Sequence, residues 1–286
     1  MAFSRYIWLT GFYIHFFLFI ACFAGWAGKD AAAENNIVET QMEHLRPDVL
    51  ANMFDGEEQM HFSISWSGGP KIGDLYLSVK KQAETDEYVI RVRVTDYGLF
   101  KLFYPVDDTF TTYVKGDLKL PVRYEVLQKE GRGSETKRLT HYDQQALQVT
   151  YRKNQQPTEV FPILGTVYNE FSAFFITRAL RLMKGTDRII PAFVDKKRHE
   201  VAVQLLSREP RKSIFGEVPT LKVKPVMSFK GLYDKDGDTV FWLTDDECRI
   251  PVEIESKILI GFLSAELVEY SSTSCPVGSA KEAATK

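Results

Sequence analysis

From Met60 onward apolar and polar residues alternate with a period of two, the spacing of an extended strand that buries one face. In Met60 to Ser67, Phe62, Ile64 and Trp66 fall on one side and His61, Ser63 and Ser65 on the other, and Gly68-Gly69-Pro70 then turns the chain. Lys71 to Gln82 repeats the pattern with Leu75, Leu77 and Val79, and Tyr88 to Val94 with Tyr88, Ile90, Val92 and Val94. Further runs cover Phe110 to Lys115, Val122 to Gln128, Thr136 to Tyr142 and Leu147 to Arg152, with Lys, Arg, Gln and Glu on the outward side. Consecutive strands at this spacing predict an antiparallel meander with one face in water. The signal resumes at Val201, Val203 and Leu205, at Leu221 and Val223, and over Thr239 to Leu243, Ile250 to Glu255 and Ile258 to Val268.

Asn169 to Met183 breaks the alternation. Phe171, Phe174, Phe175, Arg178 and Leu182 recur at helical spacing, and Gly185 follows as a stop signal. The expected fold class is therefore mainly β: a curved antiparallel sheet or open barrel wrapped around one central helix. Phe171, Phe174 and Phe175 should face the sheet, with Trp66 and Trp242 buried on that same side. Residues 58–270 read as a single β domain, residues 34–57 as an N-terminal helical extension broken by Pro47, and residues 271–286, small and patternless, as a disordered tail.

Residues 1–33 carry a different signal. Ile7 to Gly28 is an apolar run in which only His15 could carry charge, preceded by Arg5. Small residues follow at Gly25-Trp26-Ala27 and Ala31-Ala32-Ala33, so a cleaved signal peptide is the expectation. The competing reading is an uncleaved anchor, because the run is as long as the roughly 20 residues of a spanning helix. In that case the N-terminal segment supplies a membrane contact. Either way the domain is placed in the periplasm or cell envelope. Cys248 and Cys275 then meet an oxidising compartment. A hairpin turning near Lys257 would set Cys248 opposite a residue near Ala265, ten positions short of Cys275. A bridge would need the tail to fold back, and two independent thiols are the expectation.

No nucleophile elbow, HExxH, CxxC, P-loop or GxGxxG occurs in the sequence, so no metal or cofactor is called for. A net charge of −2 with both signs interspersed offers no footprint for nucleic acid. His44, His61, His141 and His199 lie far apart and read as solvated side chains. Asp234, Asp236 and Asp238 read as a hairpin turn, because Gly237 falls too early for a calcium loop. Lys196-Lys197-Arg198-His199 reads as a hairpin tip. Asp245 and Asp246 admit a paired-acid reading, against which stands a turn cap with Arg249 neutralising Asp246.

FSISWSGGPKIGDLYL, FSAFFITRALRL and GLYDKDGDTVFWLTDDECRIPVEIESKILIGFLSAEL together resemble an uncharacterised family of exported bacterial proteins, domain of unknown function 3108, over about residues 58 to 270. The most specific parts are Trp66 with Gly73, Ser172 to Arg178, and Trp242 through Asp246 with Arg249 and Pro251. The resemblance implies an envelope location in a Gram-negative bacterium and a fold similar in outline to lipoprotein carriers, and it implies no activity. The expected function is a non-catalytic envelope protein that binds an apolar or amphiphilic ligand such as a lipid, with Trp66, Phe171, Phe174, Phe175 and Trp242 as ligand-binding residues. Two alternatives stand beside it: an envelope polysaccharide-acting enzyme using Asp245 and Asp246, and a scaffold that pairs with another envelope protein through a strand edge.

Overall fold

In the computed structural model, which describes residues 43–98, 105–131, 133–227, 239–258 and 261–276, one continuous antiparallel sheet of 14 strands accounts for most of the chain. The first meander runs through β1 (Gln59–Trp66), β2 (Lys71–Lys81), β3 (Glu87–Asp96), β4 (Asp107–Lys115), β5 (Leu120–Glu130), β6 (Ser134–Asp143), β7 (Gln148–Lys153) and β8 (Glu159–Pro162). The second runs through β9 (Arg188–Val194), β10 (Lys197–Ser213), β11 (Gly216–Met227), β12 (Thr239–Thr244), β13 (Pro251–Lys257) and β14 (Phe262–Ser271). β1 pairs with β14 and joins the two meanders, so the edge strands are β8 and β9. The alternation has the consequence expected of it. Met60, Phe62 and Ile64 of β1 are buried, as are Tyr88, Ile90 and Val92 of β3, while Arg91 and Arg93 face water.

Contacts between strands distant in this order require a strong curl. Laid flat, a sheet of 14 strands about 4.8 Å apart would hold its edges roughly 60 Å from each other. Yet the rings of Phe161 on β8 and Phe193 on β9 lie 5.7 Å apart, and Lys196 in the turn after β9 reaches Glu159 of β8 at 2.6 Å. No ladder joins β8 to β9, so the sheet is not closed into a barrel. Its edges face each other across a seam bridged by side chains.

Among the described residues two helices fill the curl. The first, α1 (Pro47–Asp55), starts with proline at its N-terminal position, where a missing N–H costs nothing. Pro47 therefore opens a helix and does not break one. Val49, Leu50, Met53 and Phe54 are buried, and Phe54 packs on Tyr88 at 5.4 Å and on Phe175 at 5.9 Å. This part of the expected extension belongs to the core. Residues 34–42 lie outside the described residues, as do the leader 1–33, the Asp234–Gly237 turn and residues 277–286. Among the described residues no helix is long and apolar enough to cross a membrane.

The second helix, α2 (Glu170–Ala179), begins at a capping box in which Asn169 Oδ1 accepts from Ser172 N at 2.8 Å and Ser172 Oγ accepts from Asn169 N at 3.0 Å. Asn169 Nδ2 also donates to Thr112 Oγ1 on β4 at 2.7 Å, which ties the helix start to the sheet. The helix ends at Ala179, not at Met183 as expected. Leu180 turns extended and bridges Leu45, Arg46 N donates to Ala179 O at 2.8 Å, and Arg181 N donates to His44 O at 2.7 Å. Hydrogen bonds to this neighbouring segment replace the last helical turn.

Cys248 and Cys275 form a disulfide, with Cα atoms 6.0 Å apart, which corrects the expectation of two independent thiols. The cause is register. β13 pairs with β14 so that Glu253 lies opposite Glu266, and continuing that register sets Cys248 level with Ser271, not Ala265. Residues 272–276 then cover the short remaining distance. Ser272 Oγ and Thr273 N both donate to Gly56 O, at 3.2 and 2.8 Å. The expected disordered tail is corrected over residues 271–276: Ser271 ends β14 and Cys275 is buried.

Candidate functional site

The seam holds a cleft of about 290 Å³. Its floor comes from inward-facing positions of two neighbouring strands, Tyr124 and Val126 on β5 and Arg138, Thr140 and Tyr142 on β6. Arg138 pairs across the ladder with Val126, and Thr140 with Tyr124, so the period of two that buries Tyr142 brings a guanidinium to the core side. Tyr151 of β7, Phe193 and Val194 of β9 and the turn residues Asp195 and Lys196 form the rim. Both turn residues adopt positive φ, +49° and +63°, as a two-residue hairpin turn requires. The tip is thus Asp195-Lys196, and Lys197, Arg198 and His199 lie in β10.

Glu170, the first residue of α2, closes the inner end. Its carboxylate accepts the hydroxyl proton of Tyr124 in a short hydrogen bond. Burial pushes the Glu170 carboxyl above its ordinary pKa, against the opposing pull of the Tyr124 hydrogen bond and the Arg138 charge. Burial together with the Glu170 charge raises the Tyr124 hydroxyl well above its usual value, and the same two causes raise Tyr142. Between the unfolded value near 4.5 and the higher folded one, the native state holds more protons, so Glu170 makes stability fall as pH rises through that window. Glu170→Gln, whose amide oxygen still accepts from Tyr124, is expected to remove this slope and to be the more stable protein at neutral pH. Urea denaturation of both proteins between about pH 4 and pH 8 checks it.

The expected ligand residues do not converge on the cleft. Phe171, Phe174 and Phe175 are buried in close packing: Phe171 meets Phe110 of β4 at 5.1 Å, Phe174 meets Phe241 of β12 at 5.1 Å, and Phe175 meets Phe54. Trp242 follows Phe241 on its strand and points to the opposite, outer face. There Arg211 and Lys222 cover its ring at 4.1 and 4.9 Å, and its Nε1 donates to Glu209 at 2.8 Å. Trp66, the last residue of β1, is 37% exposed. The expectation that both tryptophans are buried beside the phenylalanines is corrected in part: Trp242 is buried, at 3% exposure, but strand phase puts it on the opposite face under Arg211 and Lys222, and Trp66 is exposed where its strand ends.

Asp245 and Asp246 are engaged in holding their turn. Asp246 Oδ1 accepts from Thr244 Oγ1 at 2.7 Å and from the backbone N–H groups of Cys248 and Arg249, both at 2.9 Å. Asp245 pairs with Arg208, and the Arg249 guanidinium makes its ion contact with Asp245, at 3.8 Å, while the Asp246 charge that the turn-cap reading set against it acts on it without a direct bond. His61 is also partnered, contrary to its reading as a solvated side chain: it meets Asp74 at 2.6 Å and stacks on Tyr76 at 4.4 Å. Among the described residues no group of three His, Cys, Asp or Glu side chains is placed to hold a metal.

A buried ion pair went unread in the sequence. Arg178 of α2 donates to both carboxylate oxygens of Glu58, at 2.6 and 2.7 Å, with both side chains essentially inaccessible. Tyr270 donates to Glu58 at 3.1 Å, and Arg178 also donates to the carbonyls of Arg249 at 2.9 Å and Cys248 at 3.2 Å. Every bond of this cluster joins elements distant in sequence. Its local signs are an acid standing directly before β1, which many surface acids resemble, and the place of Arg178 on the apolar stripe of the helix, which named no partner.

A second hollow, of about 390 Å³, is bordered by Tyr76, Arg93, Asp107 and Lys129. There Arg93 and Asp107 satisfy each other through two hydrogen bonds, at 2.7 and 3.0 Å. The seam cleft, with its aromatic walls and a guanidinium facing the core, is the better candidate.

Comparison with known proteins adds a fold relative and a family. No curated protein matches the chain. A crystal structure described as a β-barrel-like protein of domain of unknown function DUF1849, from Brucella abortus, is similar with a TM-score of 0.54 at 10% identity, covering 76% of this chain and 98% of that one. At that identity the likeness is one of fold. The model of the DUF3108 family of proteins of unknown function matches residues 61–268, spanning β1 to β14, and the chain belongs to that family.

Proposed function

We propose that this is a non-catalytic protein of the cell envelope that binds an amphiphilic ligand at the seam between its sheet edges. The observation that carries the reading is the seam itself: the sheet curls until β8 and β9 face each other, does not close, and leaves a cleft walled by Tyr124, Tyr142, Tyr151 and Phe193 with Arg138 inside. Glu170, Asp195 and Lys196 share the lining, so the cleft offers aromatic walls beside charged groups, a mixture suited to a ligand with an apolar and a polar end. The larger arrangement we infer is a curved sheet with α2 as its central helix and α1 packed beside it, similar in outline to lipoprotein carriers. The contacts of α2 with β4 on one arm and β12 on the other support it. The packed phenylalanines move the ligand from the helix face, where the sequence pointed, to the seam. Periplasmic placement rests on the apolar leader.

The test is native mass spectrometry of the protein purified from its own envelope, followed by organic extraction. Wild type is expected to carry a co-purifying amphiphile, and Tyr151→Ala, which removes part of the rim at a half-buried position, to retain several-fold less. Wild-type protein that is folded, empty and unresponsive to added single-chain amphiphiles would overturn the reading.

A further inference from the structure

Arg138 carries a charge at the cleft that no carboxylate among the described residues meets in direct contact, although Glu170, on the same lining, feels it from farther away. Arg138 donates from Nη2 to the neutral side chain of Gln128 at 2.5 Å, and its Nε is buried without a hydrogen-bond partner. Among the described residues no carboxylate stands within ion-pairing distance of it. The other cation at the cleft, Lys196, is already paired with Glu159 at 2.6 Å. Glu170 is bound by Tyr124, and Asp195 lies in the β9–β10 turn. A guanidinium donor left unbonded away from water costs free energy that an acceptor placed beside it would recover.

We propose that the seam cleft takes a single-chain amphiphile with an acidic head group, and that Arg138 binds the head. This rests on the ligand-binding reading above and adds the ligand class. Size supports one chain: about 290 Å³ lies just below the roughly 300–1,000 Å³ of typical ligand sites, enough for a head group with part of one chain and too little for a two-chain lipid. The walls sort the ligand's two ends. Tyr142, Phe193 and Val126 line the cleft for the chain, and Arg138, on the same inward face as Tyr142, receives the acid.

Decanoate and 1-decanol share a chain and differ in charge, so calorimetric titration of each into full-length, delipidated protein at neutral pH separates the two claims. Decanoate is expected to bind at least ten-fold more tightly than decanol. Arg138→Gln, which keeps a polar side chain beside Gln128, should bring decanoate down to the level of decanol, and Arg138→Lys should retain part of the preference. Equal binding of the two probes by wild type would overturn the acidic-head inference and leave the amphiphile reading standing. If neither probe binds, both fall. A preference for decanoate that survives in folded Arg138→Gln would also overturn the role given to Arg138.

Discussion

Glu58→Ala is expected to lower stability by about 3 to 5 kcal/mol, because it leaves the Arg178 guanidinium charged, buried and without a counter-ion. That is a large part of the roughly 5–15 kcal/mol that holds a typical domain folded. The single variant should unfold at much lower urea than wild type or fail to accumulate. The double variant Glu58→Leu with Arg178→Met separates the two costs involved. It removes both charges and fills the space with apolar atoms, and buried pairs replaced in this way often lose little. It is expected to recover most of the loss, though not all, since Arg178 also holds the carbonyls of Cys248 and Arg249. A double variant no more stable than Glu58→Ala would mean that the pair holds this turn in place and that charge burial is the lesser term. Urea midpoints of wild type and these two variants decide between the outcomes.

Opening the disulfide should cost about 3 to 4 kcal/mol, the chain-entropy value for cysteines separated by 27 positions. Cys275→Ser and Cys248→Ser with Cys275→Ser are expected to lose similar amounts, because either breaks the same link. The local effect is as specific as the global one. Thr273 N, bonded to Gly56 O, should exchange its proton far faster once residues 272–276 are released. Hydrogen exchange before and after reduction reads this directly, and unchanged protection at Thr273 would show that the segment holds without its link. The two perturbations should not add. Cys248 carries a carbonyl that Arg178 binds, so the disulfide and the ion pair share a turn, and neighbours that share partners couple.

The strands were legible in the sequence because a period of two is a local property. Where one face is buried, a one-residue slip would turn every apolar side chain to water, so β1 to β7 and β12 to β14 appear close to where the alternation placed them. The same phase, read strictly, sends Trp242 opposite to Phe241 and brings Arg138 inward with Tyr142. Residue type suggested otherwise in both cases, and phase prevailed. β8, with four residues and an exposed face, carried no such signal. The start of α2 lies where the helical spacing placed it, and the structure adds the reason, a capping box of Asn169 and Ser172 within four consecutive residues.

Everything that required two distant segments to meet was decided by the tertiary structure. The sheet order, the facing of β8 and β9, the Glu58–Arg178 pair and the cleft at Arg138 depend on the accumulated curl of 14 strands, which no local window contains. The disulfide depends on the register of a single hairpin, and a turn displaced by a few residues is enough to bring Cys275 within reach of Cys248. The early end of α2 has the same origin: its last expected turn was exchanged for hydrogen bonds to residues 44–46, partners more than 130 positions away in sequence. Alternation dictates which side of a strand meets the core, whereas the angle at which successive strands twist decides which strands share one core, and that angle is a property of the packed sheet.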